Sequence, residues 1–331
     1  MNWKTLMAKF PNSRVLVVGD ICLDRWCRYD PAESDVSRET GIPRLGIIST
    51  QVTPGAGGTV ANNLKSLGAG KVSVLGAIGQ DGFGFELERA LAERQIDYGL
   101  LVATGEIQTF TYSKIINART GIEDKPRFDF INHRPLPGEV EDQLVANFHA
   151  AYRNFDVVIV ADQAETSAGG VITPALREVI VDVAERNPGK IVIADSRNRI
   201  HEFRHVIAKP NEQEAEAASK ALFGDVDYAK LRRAIGPRPL IVTRGADGAL
   251  LIEEQGVKAV EGTRIEAPVD ICGAGDSFTA GLALALHAGA GYEAAARFGS
   301  LVASVTIMKS GTGTASPHEV LGRAETMVAT N

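Results

Sequence analysis

The residues best suited to chemistry in this sequence lie between Asp270 and Asp276, where Asp-Ile-Cys-Gly-Ala-Gly-Asp runs into the apolar stretch Phe278 to Leu286. Gly273 and Gly275 have no Cβ, so a tight turn there can aim consecutive backbone N–H groups outward just as a helix begins. Such a helix start is an anion site. Its unpaired donors and the positive end of the helix dipole both favour a phosphate, or the charge that builds on a phosphoryl group in transfer. Asp276, at the mouth of this cradle, would repel an anionic substrate unless it has a task, and the task that fits is accepting a proton from an attacking hydroxyl. The alternative is a plain helix cap with Asp276 as the capping residue, since short glycine motifs are weak alone.

Other polar positions recur where strands should end. Arg14 to Val18 reads as a buried first strand followed by Gly19-Asp20, and Phe155 to Ala161 and Lys190 to Ala194 read as strands ending in Asp162 and in Asp195-Ser196-Arg197. In parallel α/β sheets ligands bind at those ends. Asn211 and Glu214 stand three apart at an acid-rich helix start and can face one point, although a capping box gives the same spacing. Pro54-Gly55-Ala56-Gly57-Gly58 feeds a helix through Asn62 to Gly68, either to bring backbone close to a ligand or as a flexible loop. Neither a Gly-x-Gly-x-x-Gly after the first strand nor a Gly-x-x-x-x-Gly-Lys-Ser/Thr loop occurs, so a nucleotide would be held some other way.

The elements that must carry these residues follow from periodicity. Strands at Lys71–Ile78 and Pro239–Thr243, and helices at Glu86–Arg94 and Val171–Arg186, extend a β-α-β-α pattern that predicts a mostly parallel sheet flanked by helices. The strands Ala249–Glu253 and Val257–Val260 read as a hairpin, and Tyr292–Met308 and Pro317–Val328 as covering helices. Two stretches break the alternation. Residues 21–53 and 105–134, including a two-residue period over Ile107 to Ile116, predict a small separate β-sheet, a lid. Arg25, Arg28, Arg38, Lys114, Arg119, Arg127 and Arg134 fall within it, which is either surface solvation or the mark of an anionic ligand.

Composition sets the outer bounds. With 331 residues, 44% hydrophobic and 23% charged, the chain is globular, and its formal charge of 35 − 41 = −6 without a basic run argues against nucleic acid or a membrane surface as partner. The N-terminus lacks a signal-peptide core and no segment is apolar for the ~18 residues a membrane span needs, which predicts a cytoplasmic protein. Cys22, Cys27 and Cys272, and six scattered histidines, match no disulfide framework or zinc pattern.

The order of these motifs resembles the PfkB/ribokinase family of sugar kinases from about Arg14 to Val328. The resemblance rests on residues 54–68, Asn211-x-x-Glu214, Thr243-Arg244-Gly245-x-x-Gly248 and Asp270-x-x-Gly-Ala-Gly-Asp276. Within the family, Val18-Gly19-Asp20-x-x-Leu23-Asp24-Arg25, the arginine-bearing lid and Lys309-x-Gly311-Thr312-x-Thr314-x-Ser316-Pro317 look most like the branch that phosphorylates a heptose 7-phosphate at its anomeric hydroxyl. The resemblance implies a ribokinase-like α/β fold, a lid that pairs with another subunit's lid in a homodimer, and ATP with Mg²⁺. It implies Asp276 as general base with Gly273, Ala274 and Gly275 as anion hole. Asn211 and Glu214 would orient Mg²⁺ through water, and Thr243, Gly245 and Gly248 would line the nucleotide with Ser196 nearby. Asp20, Asp24, Gly57, Gly58 and Asn62 would bind sugar hydroxyls, with Lys114 and Arg127 toward an anionic group.

Two positions depart from the family pattern. Ile271 stands where many members have threonine, beside the carbonyls around Asp270 and Gly311 that serve K⁺ in the family. Counting back from Leu67-Gly68 puts the sugar-binding asparagine of the family at Thr59, whereas the Gly-Gly-x-x-Ala-Asn pattern puts it at Asn62. Bifunctional members of the heptose branch carry a nucleotidyltransferase domain after the kinase, and this sequence ends before one, so the expectation is a single kinase domain. The alternatives are a kinase for an unphosphorylated sugar or nucleoside, and a sugar-sensing protein that keeps the fold without turnover.

Overall fold

Val15 and Val17 of the first strand pack on one side of a sheet and Leu16 and Val18 on the other, all fully buried. That alternation makes the strand apolar on both faces, as a central strand of a parallel sheet must be. The computed structural model describes residues 2–33, 35–166 and 168–329. Among them Arg14–Gly19 is paired in parallel with Val157–Asp162 on one side and Lys71–Gly79 on the other. Beyond Lys71–Gly79 lies Asp97–Thr104. In the other direction follow Ile191–Ser196, Ile207–Ala208 and Leu240–Thr243, all parallel. The antiparallel strands Ala249–Glu253 and Gly256–Val260 close that edge, making nine strands among the described residues.

Helices cover both faces. Gly57–Ser66, Gly82–Glu93, Ala274–His287 and Tyr292–Thr306 bury Val60, Leu64, Leu87, Leu282 and Leu301 on one, while Gly138–Ala151, Pro174–Arg186, Glu212–Phe223 and Tyr228–Ile235 bury Leu144, Phe148, Ile180 and Leu231 on the other. The strand order reverses at Arg14–Gly19, whose successors in the chain go one way and whose later strands go the other. Its carboxyl end is therefore a topological switch point, where open α/β sheets bind ligands.

At that end the chain passes through Asp20 directly into Ile21–Tyr29, the first strand of a second sheet. This small sheet has the order Ile47–Ala56, Ile21–Tyr29, Thr111–Asn117, Phe128–Phe130. The two strand-rich stretches do combine into one sheet beside the main one. The strand expected from Ile107 starts only at Thr111, because Thr109 is drawn out of the ladder: its N–H donates to Asp81 Oδ2 at 2.9 Å and its hydroxyl to Asp81 Oδ1 at 2.9 Å.

Candidate active site

The carboxyl ends of the main-sheet strands face the small sheet across a cavity of about 190 Å³. From the small sheet come Asp24, Arg25, Trp26, Tyr112 and Lys114, with Arg127 just before its last strand; from the main-sheet side come Gln163, Glu165 and Arg197. Ala56, Thr59, Cys272, Gly273, Asp276 and Thr312 complete the wall. A second cavity of about 330 Å³ is lined by Thr243, Gly245, Gly248, Ala274 and Gly275, together with Thr263, Pro268, Phe278, Ser300 and Ile307. The first is crowded with charge and the second carries no charged side chain among its lining residues.

The helix Ala274–His287 begins between the two. Gly273 turns the chain into it with φ of 77°, a left-handed conformation that a Cβ would strain. Ala274 N–H donates to Ile271 O at 3.2 Å, while Gly275 and Asp276 have no backbone acceptor among the described residues. Those donors and the dipole end can stabilise an anion lying between the cavities. Burial raises the Asp276 carboxyl to about 8, with the nearby Asp195 charge adding to it and Lys209 and Arg197 opposing it. A base that titrates near neutral pH is matched to taking a proton from an alcohol and giving it up again.

Asp24 and Lys114 line the first cavity, and burial raises Asp24 to about 6 against the opposing pull of Lys114 and Arg127. Arg127 stacks over the Tyr112 ring at 5.0 Å while Asp129 holds its guanidinium through two bonds of 2.7 Å. Arg119 turns away and pairs with Asp30 at 2.8 Å. Asp20 lies beneath the cavity, 1% exposed, accepting N–H bonds from Gln163 at 2.7 Å, Ala164 at 2.8 Å and Val171 at 2.8 Å. Its carboxylate organises the loop that carries Gln163 and Glu165 rather than lining the cavity.

Gly57 and Gly58 are buried, and a Cβ on either would meet Ile21 at 2.8 Å or Pro54 at 2.6 Å, so here the missing side chain serves helix-to-sheet packing. Of the two registers for this helix, Thr59 and not Asn62 is among the residues lining the first cavity. Ala56, just before the helix, also lines it and holds φ of 50°, a strained conformation for a residue with a Cβ.

Ser196 is fully buried, its hydroxyl donating to Asp162 Oδ2 at 2.6 Å, and it lines neither cavity. Arg199 forks onto the same Asp162 carboxylate. Asn211 and Glu214 form a capping box, Asn211 N–H donating to Glu214 Oε2 at 2.8 Å and Glu214 N–H to Asn211 Oδ1 at 2.9 Å. Asn211 is bridged to Thr243, which brings the pair alongside the second cavity. The Asp270 carboxylate accepts from Cys272 N–H at 2.9 Å and from Gly311 N–H at 3.1 Å, tying two loops together.

Gln163 and Glu165 were not singled out from the sequence, while Arg197 at a strand end, Tyr112 in the lid stretch and Thr312 in the Lys309–Pro317 motif were named without a site role of their own. The strand-end rule was the available signal for the first three, which follow strands read correctly.

A divalent cation suits the charge balance. Asp195, Glu214 and Asp276 gather around Lys209, and Glu214 is raised first by burial and further by Asp195. Among the described residues no three acidic, histidine or cysteine side chains converge as a metal cage. Asn211 and Glu214, hard oxygen donors at the helix start beside the second cavity, therefore fit Mg²⁺ held mainly by phosphates and waters.

Residues 13–319 match the pfkB family of carbohydrate kinases. The bifunctional protein HldE of Geobacter metallireducens is 30% identical over 97% of this chain, which spans 65% of that protein's length. The HldE of Caulobacter vibrioides is 32% identical over 94% of the chain and 63% of its own length. The crystal structure of ribokinase from Thermotoga maritima aligns with a TM-score of 0.69 at 21% identity, covering 95% of this chain and 99% of its own. Ribokinase from Arabidopsis thaliana, solved with ribose and ATP, aligns with a TM-score of 0.67 at 18% identity, covering 94% and 98%. The chain belongs to the pfkB family of carbohydrate kinases, phosphotransferases with an alcohol group as acceptor.

Proposed function

We propose that this protein transfers the γ-phosphoryl group of ATP to a hydroxyl of a sugar that already carries a phosphate, a heptose 7-phosphate being the leading candidate. The observation that carries the reading is the helix start between two unlike cavities. A sugar phosphate suits the charged one, where Asp24, Lys114, Arg127, Glu165 and Arg197 can meet hydroxyls and an anion, and a nucleotide base and ribose suit the uncharged one beside Thr243, Gly245 and Gly248. The likeness to the HldE proteins supports the phosphorylated acceptor.

In this reading Asp276 accepts the proton of the attacking hydroxyl while the N–H groups of Gly275 and Asp276 stabilise the charge on the transferring group. Asn211 and Glu214 are the residues that would hold Mg²⁺ through water, and the ion would offset phosphate charge when bound. The small sheet acts as a lid that excludes water, and its exposed Ile47, Ile48 and Phe128 are the surface on which a second copy would dock. One kinase domain spans residues 1–331, and the protein works in the cytoplasm. Among the described residues no helix is long and apolar enough to cross a membrane. K⁺ would act at the carbonyls around Asp270 and Gly311.

A second reading, a kinase for an unphosphorylated sugar or nucleoside, is favoured by one observation: Arg127 and Arg197 are already paired with Asp129 and Glu165, so much of the positive charge in the cavity is met internally. The test is ATP consumption across sugar phosphates, free sugars and nucleosides. Turnover with a heptose or hexose phosphate, falling by about 10²–10⁴-fold in Asp276→Asn while ATP still binds, is the expected result. Turnover on free sugars alone selects the second reading, and near-normal turnover in the variant removes Asp276 from the mechanism. Silence with ATP still bound points first to an acceptor outside the panel and second to a non-catalytic sensor.

A further inference from the structure

The strand Ile207–Ala208 is followed directly by Lys209, which is only 3% exposed. A buried ammonium group loses several kcal/mol of hydration unless it is paired. Its Nζ lies 2.8 Å from Asp195 Oδ2, and that is its sole ion pair among the described residues. An ammonium group has three donors, so this one partner leaves it incompletely satisfied.

Its surroundings connect it to the catalytic helix. Thr279, one turn past Asp276, has its hydroxyl 3.3 Å from Asp195 Oδ2 and 2.9 Å from Gly275 O, so the Asp195 carboxylate is tied to the first turn of that helix. A Cβ on Gly275 would sit 4.0 Å from Lys209 Nζ, so the ammonium packs beside the anion hole. The charged groups whose fields reach Asp276 are Asp195 at a main-sheet strand end, Lys209, Asp24 of the small sheet and Arg197, with the thiols Cys22 and Cys272 also near. Of the two cations, Arg197 has a half-exposed side chain and is held by Glu165 at 2.5 Å, so its field is screened by water. Lys209 is the unscreened one.

We propose that Lys209, held by Asp195, is a positioning residue for phosphoryl transfer: the Lys209–Asp195–Thr279 network braces the start of the helix and draws the Asp276 carboxylate toward its proton-accepting form. The proposal rests on the kinase reading with Asp276 as base. Lys209 stabilises the ionised carboxylate and Asp195 opposes it, so removing each must move the base in opposite directions. A purely structural pair would instead lower activity in both variants without moving it.

The experiment is the pH dependence of kcat/KM, with the acceptor found active, for wild type, Lys209→Met, Lys209→Arg and Asp195→Asn. Lys209→Met should move the acid limb to higher pH by about one unit, a rate about tenfold lower at neutral pH that recovers at alkaline pH. Asp195→Asn, whose amide oxygen can still accept from Lys209 and Thr279, should move the limb to lower pH, and Lys209→Arg should restore the wild-type profile. Acid limbs that stay in place while rates fall equally at every pH overturn the proposal. If Lys209→Met does not fold, Asp195→Asn alone decides. If wild type turns over no acceptor, the kinase reading fails. The network is then read by carboxyl ¹³C titration of Asp276 in wild type and Asp195→Asn, where the same downward movement supports it and its absence overturns it.

Discussion

Side-chain direction favours Thr59 over Asn62 as the residue of the helix Gly57–Ser66 that would meet a sugar. Thr59 is 1% exposed, its hydroxyl donates to Pro54 O at 3.2 Å, and its methyl lies near Gly273, where a Cβ would come within 3.2 Å of it. As a donor to Pro54, the hydroxyl oxygen keeps lone pairs that could accept a hydrogen bond from a sugar hydroxyl. Asn62, nearly one turn on, lies on the same helix but lines neither cavity described. Thr59→Val keeps the shape and removes the hydroxyl, and a lost hydrogen bond of about 1–1.5 kcal/mol corresponds to a KM for the sugar about tenfold higher. Asn62→Ala should change it less than about twofold. Steady-state kinetics in the sugar at saturating ATP check both, and the reverse ranking would return the sugar contact to Asn62.

At the scale of an element, the helix Glu212–Phe223 shows one pair of residues open to two roles. Its capping box satisfies the Asn211 and Glu214 N–H groups, and the same two side chains are proposed to hold Mg²⁺ through water. Asn211→Ala removes the cap at a cost of about 1 kcal/mol, whereas Asn211→Asp keeps a capping oxygen. If the amide also serves the phosphates, turnover falls in both variants while only Asn211→Ala unfolds earlier in urea. Turnover that tracks stability alone would leave Asn211 a cap and nothing more. This ambiguity was visible in the sequence and is of a general kind, since three-residue spacing satisfies both demands. The strand ends and the helix at Gly273 were legible because apolar runs and glycines act locally. Asp97–Thr104 and Gly138–Ala151 went unread because their patterns are interrupted, half of the strand facing solvent and the helix opening after Pro137. Asp20 was read as facing the sugar because a strand-end carboxylate invites that, but three backbone donors 143 to 151 residues away in sequence capture it.

Over the whole molecule, three buried carboxyls converge on one end of the main sheet at a cost to stability. Burial raises Asp20 and Asp24 to about 6 and Asp276 to about 8, each from an ordinary value of 3.8. In each case the folded state holds the proton more tightly than the unfolded chain does. Their contribution to stability is therefore fully present below about pH 4 and is lost as pH rises through 6 for the first two and 8 for Asp276. The role proposed for Asp276 requires the opposite state, since a carboxyl accepts a proton only when ionised, so in that reading the free protein is strained in the form that works. Asp276→Asn removes the last of these titrations and leaves a neutral group of the same shape. It should melt several degrees above wild type at pH 9, by a smaller margin at pH 7, and at nearly the same temperature at pH 4. Thermal unfolding of the two proteins without ligands across that range is the measurement. A gap that stays constant with pH, or a wild type that melts higher at pH 9, would mean that the Asp276 carboxylate is already stabilised in the free protein and that its proton affinity is not what the site is built to hold.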